Sequence, residues 1–276
     1  LYRSREINVT AADTKTQLTT LGSQTAPGAL LVPGGMSKLV AILVAAASDN
    51  VTVESGAFLI RLEGPGIARG NFVCSAGGSG GAVTTGAASN INAIRIPVGI
   101  NAIPGQEILI FAENLGTDLG TNTVGVTLEF STDAGPDGEV KSEVTVEGEL
   151  TLVDTLVRLT TQGSVAAPSR LTPPDGTKIK RMVVSAGCDG AASGNAVVLI
   201  RLGGDAIKGG EQTFITTAIG STAAQTGSDR ATFQHEPFIL HNVDIEVTAN
   251  ETLDISAEMV GTDVGDVTVC VTVMFE

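Results

Sequence analysis

The sequence predicts an all-β chain that consists of two tandem antiparallel sandwiches, and three observations lead to this fold class. Every strong periodic signal in the 276 residues has period two, as in Thr123–Phe130 and Val267–Phe275. No stretch of a dozen residues carries an apolar stripe at helical spacing. A segment of domain length also recurs within the chain, so one fold is expected twice.

The internal repeat is clearest where Pro104–Asp118 is matched by Ala249–Asp263, at an offset of 145 residues. From Pro104 to Phe130, 12 of 27 aligned positions are identical. Leu59–Leu62 likewise recurs as Leu199–Leu202, at an offset of 140 residues. Because the offsets drift by only a few residues, as loop insertions would cause, we interpret the halves as two homologous units.

The boundary between the units is expected in Ser131–Glu139, where Asp, Gly and Pro cluster between two strand-like segments. This composition is typical of turns and linkers. The sequence therefore predicts a first unit at residues 1–132, a linker at 133–140 and a second unit at 141–276.

Eight strands are predicted in each unit, which is the strand number of a jelly-roll sandwich. The competing immunoglobulin-type sandwich has seven or nine strands and often a buried Trp, and this sequence has no Trp. The strands are predicted at 6–11, 15–21, 38–48, 57–63, 70–76, 91–100, 106–115 and 122–131, and again at 143–149, 154–161, 178–187, 196–203, 211–219, 231–243, 252–260 and 266–275.

Two pairs of opposite charges recur with the repeat. Arg61 and Glu113 in the first unit correspond to Arg201 and Glu258 in the second. Each pair lies on strands that jelly-roll topology places side by side in one sheet, so we expect cross-strand ion pairs Arg61–Glu113 and Arg201–Glu258. The alternative is that all four side chains are independently solvated.

Composition argues against several functions. A formal net charge of −14 is unsuited to direct nucleic-acid binding or to docking on an anionic membrane. The apolar run Leu39–Ala47 is too short to cross a bilayer as a helix and is interpreted as a core strand, so no transmembrane span is expected.

An enzyme is also disfavoured. His235 and His241, the only histidines, would lie too far apart on one strand to share a metal. Cys74, Cys188 and Cys270 form no CxxC pair and are interpreted as buried apolar side chains. We find no catalytic sequence motif and expect no cofactor, with calcium as the one ion to consider.

Acidic loops are the remaining candidate site. Gly116–Gly120 recurs as Gly261–Asp266, which makes Asp118, Asp263 and Asp266 candidate calcium ligands. Calcium needs six to eight oxygen ligands, and no EF-hand spacing is present. A Gly-Thr-Asp-x-Gly sequence also suits a hairpin turn without any ion, and we favour that interpretation.

Two eight-stranded jelly rolls in tandem, over the whole chain, resemble the double-jelly-roll major capsid proteins of icosahedral viruses with an internal membrane. The resemblance implies a non-enzymatic virion protein that forms homotrimers, whose six sandwiches tile a shell as pseudo-hexamers. It also implies contacts with shell neighbours and with minor capsid or membrane proteins. The two halves here are more alike than is usual in that family.

Two other functions remain open at this point. A surface-layer or extracellular appendage subunit would also be built of tandem β-sandwiches, and would be located at the cell surface. A tandem carbohydrate-binding module would need exposed aromatic side chains to stack on sugars, and this chain has no Trp and a single Tyr, Tyr2.

Overall fold

The structure is a computed structural model. It describes residues 1–22, 24–25, 29–48, 54–81, 89–116, 121–133, 135, 137–164, 173, 178–188, 194–221, 233–235 and 237–276. Within these ranges every helix or strand element is a β-strand, and all paired strands are antiparallel. No helix in the described residues is long and apolar enough to cross a membrane.

The first half of the chain forms two sheets that face each other. The strands of this half are β1 (Tyr2–Val9), β2 (Thr16–Gln17), β3 (Thr20–Leu21), β4 (Gln24–Thr25), β5 (Leu30–Leu31), β6 (Lys38–Ser48), β7 (Glu54–Glu63), β8 (Asn71–Gly81), β9 (Ser89–Asn101), β10 (Glu107–Gly116) and β11 (Asn122–Ser131). One sheet has the order β4-β3-β1-β11-β6-β9. The other contains β8-β7-β10-β2, with β5 also paired to β10.

The second half forms two further sheets. Its strands are β12 (Ser142–Leu150), β13 (Val157–Arg158), β14 (Lys178–Cys188), β15 (Gly194–Gly203), β16 (Gln212–Ser221), β17 (Phe233–His235), β18 (Phe238–Glu246), β19 (Asp254–Gly261) and β20 (Val267–Phe275). Two four-stranded sheets have the orders β12-β20-β14-β18 and β13-β19-β15-β16. Matched strand by strand, these are the orders β1-β11-β6-β9 and β2-β10-β7-β8 of the first half, which is consistent with jelly-roll sandwiches.

Several strands differ from the sequence prediction. The strand expected at 15–21 is two short strands in different sheets, β2 and β3, and the one at 154–161 is reduced to β13. The strand expected at 231–243 is divided into β17 and β18, and β17 pairs with β8 of the first half. Pairing partners outside the local segment decide these outcomes, and local periodicity carries no information about such partners.

The glycine-rich end of β8 has the composition of a loop but continues as strand to Gly81. Glycine normally weakens a strand, but it also permits close backbone approach. A Cβ atom at Gly78 would overlap the backbone carbonyl of Ala186 in β14. The glycine is therefore required because a strand of the second half lies directly against β8.

Each half has its own hydrophobic core, to which alternate residues of its two sheets contribute. Val124, Val126 and Leu128 of β11 face the first core. Val269 and Val271 of β20 face the second. A third, smaller cluster lies between the halves. The four sheets are therefore stacked, with a sheet of the first half against a sheet of the second.

Candidate assembly interface

Two outer sheet faces meet inside the chain. The outer face of β8-β7-β10, here called the first arginine face because it carries Arg61, lies on the outer face of β12-β20-β14. We call the latter the second threonine face because it carries Thr145 and Thr272. Their apolar contact includes Val183 and Met274 of the second half, which pack against the first core. It also includes the small cluster between the halves, which is fully or almost fully buried: Ala57, Leu59, Val73, Leu115 and Cys270.

Hydroxyl groups connect the two faces at the centre of this contact. The Ser75 and Ser185 side chains hydrogen-bond each other, and the Ser75 N–H donates to Thr272 Oγ1 at 2.8 Å. Thr145 Oγ1 lies 2.9 Å from Thr272 Oγ1 and donates to the Val73 carbonyl at 3.0 Å. Buried polar groups need such partners, so these bonds fix the register of one face on the other.

The predicted partners Arg61 and Glu113 lie together on the first arginine face. Arg61 Nε is 3.0 Å from Glu113 Oε2, and the two side chains are 5% and 0% exposed. Arg61 Nη2 also donates to the Gln162 carbonyl at 2.8 Å, and the Ser164 N–H donates to Glu113. The buried pair thus binds the backbone of the second half, which a sheet-level prediction could not include.

Arg201 and Glu258 lie together at the equivalent position of the second half, on the outer face of β19-β15-β16. Arg201 Nη2 is 2.5 Å from Glu258 Oε2, and these side chains are 33% and 14% exposed. Arg201 Nη1 is also 3.6 Å from Glu211. Arg201 Nε has no hydrogen-bond partner among the described residues. We call this surface the second arginine face, and it is open to solvent.

The outer face of β1-β11-β6 is the first threonine face, and it is open as well. Ser4 Oγ lies 2.8 Å from Thr127 Oγ1, which reproduces the Thr145–Thr272 pair of the covered face. An equivalent glutamate also lies on each face. Glu6 accepts a hydrogen bond from the Gly22 N–H at 2.8 Å, as Glu147 does from the Gly163 N–H at 2.7 Å. Both threonine faces therefore have the same local geometry, and only one of them is covered.

The position of Glu147 on the covered threonine face changes the pKa of its carboxyl group. Burial, together with the negative charges of Asp13 and Glu113, raises the pKa of this carboxyl to about 7. The hydrogen bond from Gly163 acts in the opposite direction. Burial likewise raises the pKa of Glu143 to about 7, opposed by Arg69, with which it forms an ion pair.

The predicted linker is attached to both halves by Arg181, a residue that the sequence analysis did not single out. Arg181 is buried and donates to the carbonyls of Pro97 and Gly138, each at 3.1 Å, and to that of Asp137. Burial lowers the pKa of this guanidinium, which nevertheless remains charged at neutral pH. An arginine within an alternating strand gives no signal that its partners are backbone carbonyls of another segment.

The candidate calcium ligands lie only partly within the described residues. Asp118 lies outside them. Asp263 is exposed, and its Oδ1 accepts a hydrogen bond from the Gly265 N–H at 2.8 Å, as in a turn. Asp266 directly precedes β20. The described part of the chain contains no group of three or more His, Cys, Asp or Glu residues that could hold a metal ion.

The three cysteines lie inside the sandwiches or between them. Cys74, Cys188 and Cys270 are buried and form no disulfide with one another. Burial raises the pKa of the Cys74 and Cys270 thiols, so neither is a ready thiolate nucleophile. His241 is exposed on β18, and the side chain of His235 lies outside the described residues.

No protein-family model matches the sequence, and a comparison with curated proteins gave no match. Solved structures give distant similarities. An archaeal virus protein with a triple jelly-roll fold is 10% identical to this chain, with a TM-score of 0.24. The match covers 98% of this chain and 58% of the archaeal virus protein. A peptide-N(4)-(N-acetyl-β-D-glucosaminyl) asparagine amidase is 10% identical with a TM-score of 0.35, covering 98% and 96%.

The particle of infectious bursal disease virus, an icosahedral virus, gives a third similarity, with 12% identity and a TM-score of 0.25 over 100% of this chain and 69% of that one. The similar structures thus include two viral proteins and an amidase. All three TM-scores are below 0.5, so the function of this chain has to be inferred from its own sheets and faces.

Proposed function

We propose that this chain is a structural protein of a virion, a non-enzymatic coat subunit that assembles with copies of itself. In this proposal residues 1–132 and 141–276 are two jelly-roll units derived from one ancestral unit, and 133–140 is the linker between them. Three chains would then supply six sandwiches, which can tile a shell as a pseudo-hexamer.

The observation that carries the proposal is the contact between the halves. It joins unlike faces, an arginine face to a threonine face, and leaves one face of each kind open at the two ends of the stack. A contact between unlike faces is heterologous, and repeating it generates a closed ring or an open filament. A chain that already contains one such contact has the geometry of a repeating subunit.

The net charge of −14 fits a coat that does not bind the genome directly, because phosphate binding needs basic surfaces. The proposal therefore places other components between shell and genome, such as minor capsid or membrane proteins. No catalytic step and no cofactor is part of this function.

The same heterologous contact favours one second candidate, an extracellular appendage or surface-layer subunit. A rotation of about 60° between successive sandwiches closes a ring after six of them, that is, after three chains. Any rotation that does not close gives a filament instead. The two candidate functions thus differ in one geometric quantity, the rotation between successive sandwiches.

The test is the mass and shape of the purified protein. Analytical ultracentrifugation gives the mass over a range of concentrations, and electron microscopy gives the shape of the particles. A trimer, alone or in closed shells, is the expected result. Filaments would replace the virion function with the appendage function, and a monomer at all concentrations would overturn both.

A further inference from the structure

We propose that the open second arginine face of one chain binds the open first threonine face of another copy, in the register of the contact within the chain. The inference rests on the proposed self-assembly and adds to it the surfaces and residues that form the contact. The occupant of each face is thus a second copy of this chain, related to the first by a heterologous contact.

Apolar groups at the equivalent positions support the same register. Ala57, Leu59 and Leu115 belong to the buried cluster within the chain. The repeat places three apolar residues at the same points of the open face, namely Val197, Leu199 and Val260. These three residues are only partly covered in one chain. Apolar side chains grouped on an open sheet face are typical of a binding surface.

The strongest support comes from two residue differences between the covered contact and the open faces, one on each open face. The register of β7 with β8 and of β15 with β16 makes Ile215 the equivalent of Ser75. The register of β11 with β6 and of β20 with β14 makes Ala45 the equivalent of Ser185. A hydrogen-bonded serine pair within the chain therefore corresponds to an apolar pair, Ile215 and Ala45, between two chains.

Ile215 is 70% exposed in one chain, which is unusual for an isoleucine in the middle of a strand. Opposite it, Ala45 is small, and the position of Cys270 is taken by Gly125, which leaves room for the larger side chain. The two open faces are thus complementary at this point, because both members of the polar pair are replaced by apolar residues. Replacement of only one would have placed an apolar side chain against a polar one.

The hydroxyl pair of the open threonine face is already in place. In the covered contact, the equivalent threonines accept the Ser75 N–H and donate to the Val73 carbonyl. By equivalence, Thr127 of one chain would accept the Ile215 N–H of the next, and Ser4 would donate to the Thr213 carbonyl. The 2.8 Å Ser4–Thr127 distance shows that no rearrangement of this pair is needed.

The second copy would also supply Arg201 with an acceptor in addition to Glu258 and Glu211. Arg61 donates to the carbonyl of Gln162, and the repeat makes Leu21 the equivalent of Gln162. Arg201 would therefore donate to the Leu21 carbonyl of the neighbouring chain. This bond would occupy one donor of a guanidinium whose Nε is unpartnered in the described residues.

Space at two equivalent glycines distinguishes the covered face from the open one. A Cβ atom at Gly163 would overlap the carboxylate of Glu113, whereas a Cβ at Gly22 has nothing within 4 Å. Both glycines have left-handed backbones, with φ of 55° and 59°. The docked second copy would bring Glu258 to the free space above Gly22.

The first test changes Ile215, and sedimentation velocity measures the mass of the assembly. Ile215→Asp buries an unpaired charge in the proposed contact, so association should weaken roughly 100-fold or more, while circular dichroism shows an unchanged fold. Leu31→Asp is the matched control and should associate like the unaltered protein, because Leu31 is 55% exposed and lies on neither open face.

A rescue experiment tests the register itself. Ile215→Ser alone should weaken association, and Ile215→Ser combined with Ala45→Ser should restore it by recreating the Ser75–Ser185 pair between chains. Failure of the double variant to restore association would overturn the proposed register. If the unaltered protein assembles and Ile215→Asp assembles equally well, this contact is wrong while self-assembly stands.

The second test uses the glycines. Asn tolerates a left-handed backbone, so Gly22→Asn should not disturb the fold of the single chain. It should weaken association by about tenfold or more, because the added side chain would contact Glu258 of the second copy. Gly105→Asn is the control, because Gly105 also has open space and its equivalent in the second half is Asn250, at φ 64°. Equal association of the two variants would overturn the placement of Glu258 over Gly22. A monomeric unaltered protein would instead overturn the proposed self-assembly.

Discussion

Strands β11 and β20 occupy the same place in the two halves, yet their surroundings differ. Every second residue of β11 is only partly buried or exposed, whereas all nine residues of β20 are buried. The reverse holds for the partner sheets, where the outer residues Leu59 and Arg61 of β7 are buried and Leu199 and Arg201 of β15 are partly open. Equivalent faces thus differ in what covers them.

This difference explains why the two arginine–glutamate pairs are not equivalent energetically. A buried ion pair gains little net stability, but removing one partner leaves an uncompensated buried charge. A partly solvated pair can lose one partner and rehydrate the other. The covered and the open faces of a single chain therefore serve as each other's reference in mutational experiments.

The largest effect is expected from Arg61→Ala. It leaves the fully buried Glu113 without its cation, so the free energy of unfolding should fall by about 3–5 kcal/mol. Arg201→Ala, at the equivalent open position, should have a much smaller effect. Urea unfolding of both variants at a concentration where the protein is monomeric checks this, and equal losses would mean that covering does not distinguish the pairs.

A smaller loss is expected from Gly78→Ala. The added methyl group would overlap the Ala186 carbonyl, so β8 and β14 must separate, at a cost of about 1–3 kcal/mol. The register of β15 with β16 gives the second half an alanine, Ala218, at the equivalent position. Thermal unfolding measures the loss, and an unchanged melting temperature would contradict the close approach of the two strands.

The buried carboxyl groups of the covered face should make the free energy of unfolding depend on pH. Glu147 has a pKa of about 7 in the folded chain against an ordinary value of 4.5, so the folded state binds the proton more tightly. The free energy of unfolding should therefore decrease as pH rises from about 4.5 to 7. The negative charges of Asp13 and Glu113 add to the effect of burial on this pKa, and the hydrogen bond from the Gly163 N–H opposes it.

Glu147→Gln removes the titrating group while keeping a hydrogen-bond acceptor for Gly163. The slope of unfolding free energy against pH should become shallower in this window. It should not vanish, because Glu143 also has a pKa of about 7. Urea unfolding at several pH values measures the slope, and an unchanged slope would show that Glu147 is not the group responsible.

The smallest effect is expected from Asp263→Asn, at an exposed position in the loop between β19 and β20. The Asn oxygen can still accept the Gly265 N–H, so stability should change by less than about 0.5 kcal/mol. Adding calcium should raise the melting temperature of neither protein. A calcium-dependent rise that disappears in the variant would instead support the calcium interpretation of this loop.

Much of the fold, but not its stacking, could be predicted from the sequence. Period-two alternation located most long strands, such as β6 and β11, because alternation reports which side chains face a core. It does not report whether the opposite side is covered, as it is at Thr268 and Thr272. The Arg61–Glu113 pair followed from strand neighbours, whereas its bonds to the second half depend on how the halves meet.

The most direct test of the central claim compares the mass of the unaltered protein with that of Ile215→Asp under identical conditions. The claim is that copies associate by repeating the contact that already joins the two halves. Sedimentation should then give three times the 28.0 kDa of one chain for the unaltered protein, and 28.0 kDa for the variant. Equal masses for the two proteins would contradict it.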